Sequence, residues 1–193
     1  MSARERVLDR LRAQALEPVP LPTLQGAWIE YPDALAQFGA ALGRAAGSLV
    51  LVEPGQLQAT LAQLPVVQAA RRCCSLVAAL VGNVAPAGEP HGFADLDVLV
   101  VEASFGVAEN GAVWLGEQAA GVRAGLFLTQ HLVVLLKRTA LLHNLHQAYE
   151  RLSASAGATG YACFVSGPSK TADIEQALVV GAHGPRSLTL LAY

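Results

Sequence analysis

The chain has 193 residues, 53% apolar and only 15% charged, with a formal net charge of −2. That length and apolar content suit one domain with a real core. The charge balance offers no electrostatic grip for nucleic acid, and apolar runs such as 132–136 and 75–81 fall far short of the roughly 20 residues a membrane span requires. Ala, Leu and Val dominate and aromatics are few, which favours helix–sheet packing over a β-sandwich.

Residues 1–12 carry alternating charges and no apolar signal-peptide region, so a cytoplasmic protein is expected. Ser2 and Glu5 have capping-box spacing, and Val7, Leu8 and Leu11 share one face, which predicts a helix over 3–15. Arg4, Arg6, Arg10 and Arg12 give it a basic surface, either a docking face or a solvated one. Pro18, Pro20 and Pro22 then make an extended linker. The expected organisation is an N-terminal helix and linker over 1–22 and a single domain over 23–193.

Along the body, helical periodicity covers 33–44 and 57–64, with a continuous apolar strand at 47–52 between them. Residues 66–70 read as a weak strand, 74–81 are ambiguous, and 82–92 form a Gly/Pro loop. A buried strand is predicted at 97–102, and strand pieces at 107–109 and 112–115 flank Asn110-Gly111, a turn-favouring dipeptide. Strands are also predicted at 132–136, 161–165 and 187–192, helices at 137–152 and 172–180, and a loop at 154–160. Continuous Val/Leu strands between helices imply a three-layer α/β fold with a mostly parallel sheet flanked by helices. The 107–115 region adds a hairpin or an antiparallel edge.

Chemistry concentrates in three places. The loop Ser166, Gly167, Pro168, Ser169, Lys170 and Thr171 links an apolar strand to the predicted helix at 172–180. Free N–H groups at such a helix start, with Lys170 beside them, suit an anion or a polar ligand at the carboxyl end of a parallel strand. The same residues also make an ordinary helix start, and Asp173 and Glu175 would repel a bound anion. His183 and Gly184, followed by Pro185, end that helix. Gly and Pro are ordinary stop signals, and His183 either lines a site or donates to the last carbonyls. Third, Glu102 ends one apolar strand and Glu109 sits at the following turn. Glu109 is either a carboxylate nucleophile or a carboxylate bonded to turn amides.

The remaining groups point to no cofactor on this chain. Cys73, Cys74 and Cys163 lack Cys-x-x-Cys spacing and read as small buried hydrophobes. His143 and His146 are spaced i, i+3 on a predicted helix without an obvious third ligand. No metal site is expected. His91, near Asp95 and Asp97, lines a pocket mouth or is solvated.

The run from Gly167 through Lys170-Thr171-Ala172-Asp173 to Glu175, followed by His183-Gly184-Pro185, resembles the LUD domain of the lactate-utilization protein C family. The likeness extends from about Trp28 onward and is most specific in the last third. It implies a NagB/RpiA/CoA-transferase-like α/β fold. It also implies a subunit of an L-lactate utilization system that binds a ligand or a partner, while iron–sulfur partner proteins carry the clusters and the oxidation to pyruvate. Glu109-Asn110-Gly111 looks like the Glu-Asn-Gly element of class I CoA transferases, with Ala108 where that family frequently has Ser. The alternative is a stand-alone enzyme acting on a CoA thioester or small anionic metabolite through Glu109. A third reading is a scaffold whose ancestral site has decayed.

Overall fold

The computed structural model describes residues 2–14, 19–20, 26–116, 123–154, 161–173 and 176–193. In chain order, α1 (Ala3–Ala13) and α2 (Ala34–Arg44) precede β1 (Ser48–Leu51). Next come α3 (Leu57–Gln63), α4 (Pro65–Gln68), β2 (Cys73–Ser75) and β3 (Val98–Glu102). Then follow β4 (Phe105–Val107), β5 (Ala112–Leu115), α5 (Arg123–Leu128) and β6 (His131–Leu136). The chain continues through β7 (Leu141–Leu142), α6 (Leu145–Ala154), β8 (Cys163–Val165), β9 (Lys170–Thr171), β10 (Val179–Val180) and β11 (Ser187–Ala192).

The continuous apolar strands build a five-stranded sheet in the order β1-β11-β6-β3-β2, parallel throughout. Successive side chains of a strand face opposite ways, so an inner strand is apolar almost throughout; half-buried Thr189 of β11, beside Ser48, is the mid-strand exception. Val98, Val100, Val133, Leu135 and Leu191 face one core, which α3 closes with Leu61. Leu99, Val101, Leu132, Val134, Leu188 and Leu190 face the other, closed by Phe38 and Leu42 of α2 and Leu126 of α5. Val133 and Val134 are fully buried on opposite faces, and each such side chain contributes about 1.5–3 kcal/mol. The expected three-layer α/β fold with a mostly parallel sheet is therefore what forms.

The 107–115 hairpin does not edge this sheet. It belongs to a second, four-stranded sheet in the order β7-β4-β5-β8, in which β4 and β5 are antiparallel. Phe105, Trp114 and Phe164 form its aromatic core, with the Trp114 and Phe164 rings 4.7 Å apart.

Local expectations fare unevenly. The Ser2–Glu5 capping box forms, and Asp33 caps α2 by accepting the N–H of Ala36. Residue 15, Pro18 and Pro22 lie outside the described residues, as does most of the 154–160 loop. The weak strand at 66–70 is instead the short helix α4, because Pro65 supplies a preformed first helical turn. The helix over 137–152 begins only at Leu145: Arg138–Ala140 form a 3-10 turn, and Leu141–Leu142 pair with β4. Asn144 sets the later start, its Oδ1 accepting the N–H of Gln147. The α5 helix carries too short an apolar pattern to be read from the chain alone.

The largest departure is at 172–180. No helix is present among its described residues; Lys170–Thr171 and Val179–Val180 pair as an antiparallel ribbon instead. Ile174 and Glu175 lie outside the described residues. The β-branched Thr171, Val179 and Val180 satisfy their backbone groups across the ribbon rather than along a helix. The N–H of Gly181 extends the ladder by donating to the carbonyl of Ser169 at 2.9 Å.

Candidate functional site

Gly167 turns the chain with a positive φ of 70°, and a Cβ there would lie 1.9 Å from the carbonyl oxygen of Ala45. The loop therefore sits directly on the α2–β1 connection, and only glycine fits. Gly167 and Pro168 are buried, Ser166, Ser169 and Thr171 are half-buried, and Lys170 is exposed. The Ser166 hydroxyl donates to the carbonyl of Asn110 at 3.0 Å, which joins the loop to the Glu109-Asn110 turn.

Ser169 connects the loop to the second half of the motif: its N–H donates to the carbonyl of Pro185 at 2.9 Å. Gly184 lies against the same side chain, with a hypothetical Cβ 2.9 Å from the Ser169 Cβ. His183 is exposed in the turn before Pro185. Ser169 and Thr171 cap no helix, since the first bonds Pro185 and the second pairs with Val179. His183 sits at no helix C-terminus. A row of free helix N–H groups for an anion is consequently not what this loop presents.

The cluster also lies at the opposite end of the sheet from the one expected. β8, the strand that feeds the loop, belongs to the second sheet. Gly167 touches the chain just ahead of β1, and Pro185 leads directly into β11, so the motif lies at the amino ends of these parallel strands. His131 and Ser187 open β6 and β11 there, 2.8 Å apart through Nδ1 and Oγ. Burial pushes His131 below the ordinary imidazole range, Arg186 acts the same way, and Asp97 opposes both.

Glu109 is exposed, and its Oε2 accepts the N–H of Leu145 at the start of α6, 2.9 Å away. Its own N–H donates to the carbonyl of His143. Asn110 closes the turn by accepting the N–H of Ala112. The turn thus holds the first residues of α6, and the hydroxyl of Ser166 ties it to the 166–171 loop.

Two further groupings were not read from the sequence. At the carboxyl end of the parallel sheet, the Tyr193 hydroxyl donates to Glu102 Oε1 at 2.6 Å, and Lys137 approaches the same oxygen at 3.6 Å. Burial and then the Glu102 contact push the Tyr193 phenol above its usual range. Beside α6, a groove of about 460 Å³ is lined by Trp28, Glu30, His146 and Glu150 among others. The Trp28 and His146 rings stack there 3.5 Å apart. Nothing in the local pattern at 26–30 signals this groove, because its walls are distant in the chain.

The chain is similar to known proteins over part of its length. Uncharacterized protein YkgG of Escherichia coli (strain K12) is 39% identical over 90 residues, 45% of this chain and 39% of that protein. Lactate utilization protein C of Bacillus pumilus (strain SAFR-032) is 36% identical over 97 residues, 48% of this chain and 40% of that protein. The matched part thus spans about two fifths of the length of these curated relatives. A crystal structure of a DUF162 family protein from Deinococcus radiodurans shares the fold, with a TM-score of 0.65 and 16% identity over 82% of this chain and 95% of that one. No helix among the described residues is long and apolar enough to cross a membrane. The LUD domain family model matches residues 91–193, more than half the sequence, and this chain belongs to that family.

Proposed function

We propose that this chain serves in L-lactate utilization as a component that binds a ligand or a partner, alongside iron–sulfur proteins that oxidise L-lactate to pyruvate. The observation that carries the reading is its similarity to proteins named lactate utilization protein C. Support also comes from the meeting of the 166–171 loop with the 183–185 segment, where Ser169 bonds Pro185 and lies against Gly184. Lys170 and His183 are exposed at this junction, where a small anionic metabolite or an acidic partner surface would find donors.

The test is genetic and biochemical together. Deleting the gene should abolish growth on L-lactate, and the tagged native protein should recover iron–sulfur partners. A Lys170→Glu, His183→Ala chain of unchanged melting temperature should fail to restore growth. Normal growth of the deletion strain would sink the proposal.

A second reading makes the chain a stand-alone enzyme. The exposed Glu109 carboxylate would attack a thioester carbonyl, expel the CoA thiolate and form a mixed anhydride. Trapping an acyl group on Glu109, absent from Glu109→Gln, tests it.

A further inference from the structure

The N-terminal helix keeps most of its surface exposed, with Leu8 alone half-buried. No residue of α1 is buried, and Val7 and Leu11 remain 58% and 61% exposed. Arg4 precedes Val7 and Leu8 by three and four residues, so a guanidinium lies on the same face as the apolar stripe. Arg6, Arg10 and Arg12 add positive charge, against Glu5 and Asp9. A helix this short is marginal in water by itself and gains most of its stability from packing its apolar face.

The groove beside α6 has the opposite character. Glu30 and Glu150 give it negative charge, and the Trp28–His146 stack forms an aromatic wall. Ile29 and Tyr149, neighbours of the lining residues, are 56% and 60% exposed, and Trp28 itself is 41% exposed. Its walls are preorganised. Asn144 Nδ2 donates to the carbonyl of Ile29 at 2.9 Å, and the N–H of Tyr31 donates to His143 Nδ1 at 2.9 Å. These bonds hold the 28–31 segment against the start of α6. Acidic groups around an aromatic face suit guanidinium cations, and the exposed apolar rim suits Val7 and Leu11.

We propose that α1 of one copy docks in the Trp28/Glu30/Glu150 groove of a second copy, with the exchange made reciprocally in a two-fold dimer. The helix and the groove are complementary in both charge and apolar character, and among the described residues both keep exposed apolar surface. A reciprocal exchange satisfies both pairs with one self-complementary contact and no open-ended assembly. This inference is independent of any role in lactate metabolism.

Sedimentation velocity on the full chain, up to about 100 µM, tests it. The wild type should form a dimer that weakens with added salt. Arg4→Glu, Arg10→Glu should raise the dimer dissociation constant at least about tenfold, as should Glu30→Lys, Glu150→Lys. All four positions are exposed, so melting temperatures, measured alongside, should hold. The decisive sample mixes the two charge-reversed chains, since each then offers the complement of the other, and a heterodimer should return. A monomeric wild type would overturn the proposal. So would a dimer insensitive to both variants, or a mixture that stays monomeric. If instead the four changes combined in one chain restore a compact monomer, the helix docks on its own chain and the second-copy proposal falls.

Discussion

The backbone N–H of Ser169 donates to the carbonyl of Pro185 at 2.9 Å, closing the two halves of the family motif on each other, with no helix among the described residues between them. One half is held from below by Gly167 on Ala45, and the other runs into β11. Motif residues that look like a helix start are thus a packed junction at the amino end of the sheet.

Gly167→Ala should destabilise the protein by about 2 kcal/mol or more, because it adds a Cβ at positive φ and drives it into the Ala45 carbonyl. Urea denaturation measures this directly. A change under about 0.5 kcal/mol would show that the loop is not seated as described.

Glu109→Ala should cost about 1 kcal/mol by removing the acceptor for the Leu145 N–H at the α6 start. Glu109→Gln keeps an acceptor oxygen and should cost less. If Gln is as damaging as Ala to folding, the carboxylate's role is not this hydrogen bond.

His131→Gln should flatten the acid side of the stability profile. The folded imidazole is held below its ordinary value by burial, so the unfolded chain binds its proton first as pH falls through about 6.5. The stability this neutral imidazole contributes is present above that value and is lost as pH falls toward the lowered folded value. Equilibrium unfolding between pH 8 and pH 5 should show a smaller slope in the variant, with the range chosen around the usual imidazole value of about 6.5. Equal slopes would contradict the assignment.

Tyr193→Phe removes the hydroxyl that donates to Glu102 and should cost about 1 kcal/mol. Ultraviolet titration of the wild type should show Tyr193 ionising above the ordinary phenol range, and the variant should lose that late component. Tyr161, also raised by burial, keeps a second late component in both. As pH rises past about 10, the unfolded tyrosine ionises first, so this contribution to stability is lost toward the raised folded value. A titration curve unchanged by the substitution would refute the contact.

How much could be read from the chain depended on where each residue's partners lie. Residues 98–101 and 132–136 are legible because a stretch of strand buried on both faces is a continuous apolar run. Ser2–Glu5 is legible because both partners lie within four residues. The ribbon of Thr171 with Val179 was not, since nothing local distinguishes an apolar turn of helix from a short paired strand. Nor was the delayed start of α6, which the local Asn144 cap shares with Leu141–Leu142 pairing to β4 more than thirty residues earlier.

The sequence by itself therefore determined the parallel α/β core and the family, because burial periodicity and a long ungapped motif are properties of neighbouring residues. Only the tertiary structure decided what that motif does in space. It set Ser166 on Asn110, Gly167 on Ala45 and Ser169 on Pro185, and it moved the motif to the amino end of the sheet. It likewise brought Tyr193 to Glu102 and Trp28 to His146. Those contacts join residues far apart in the chain, and their energy is realised only once the sheets have assembled around them.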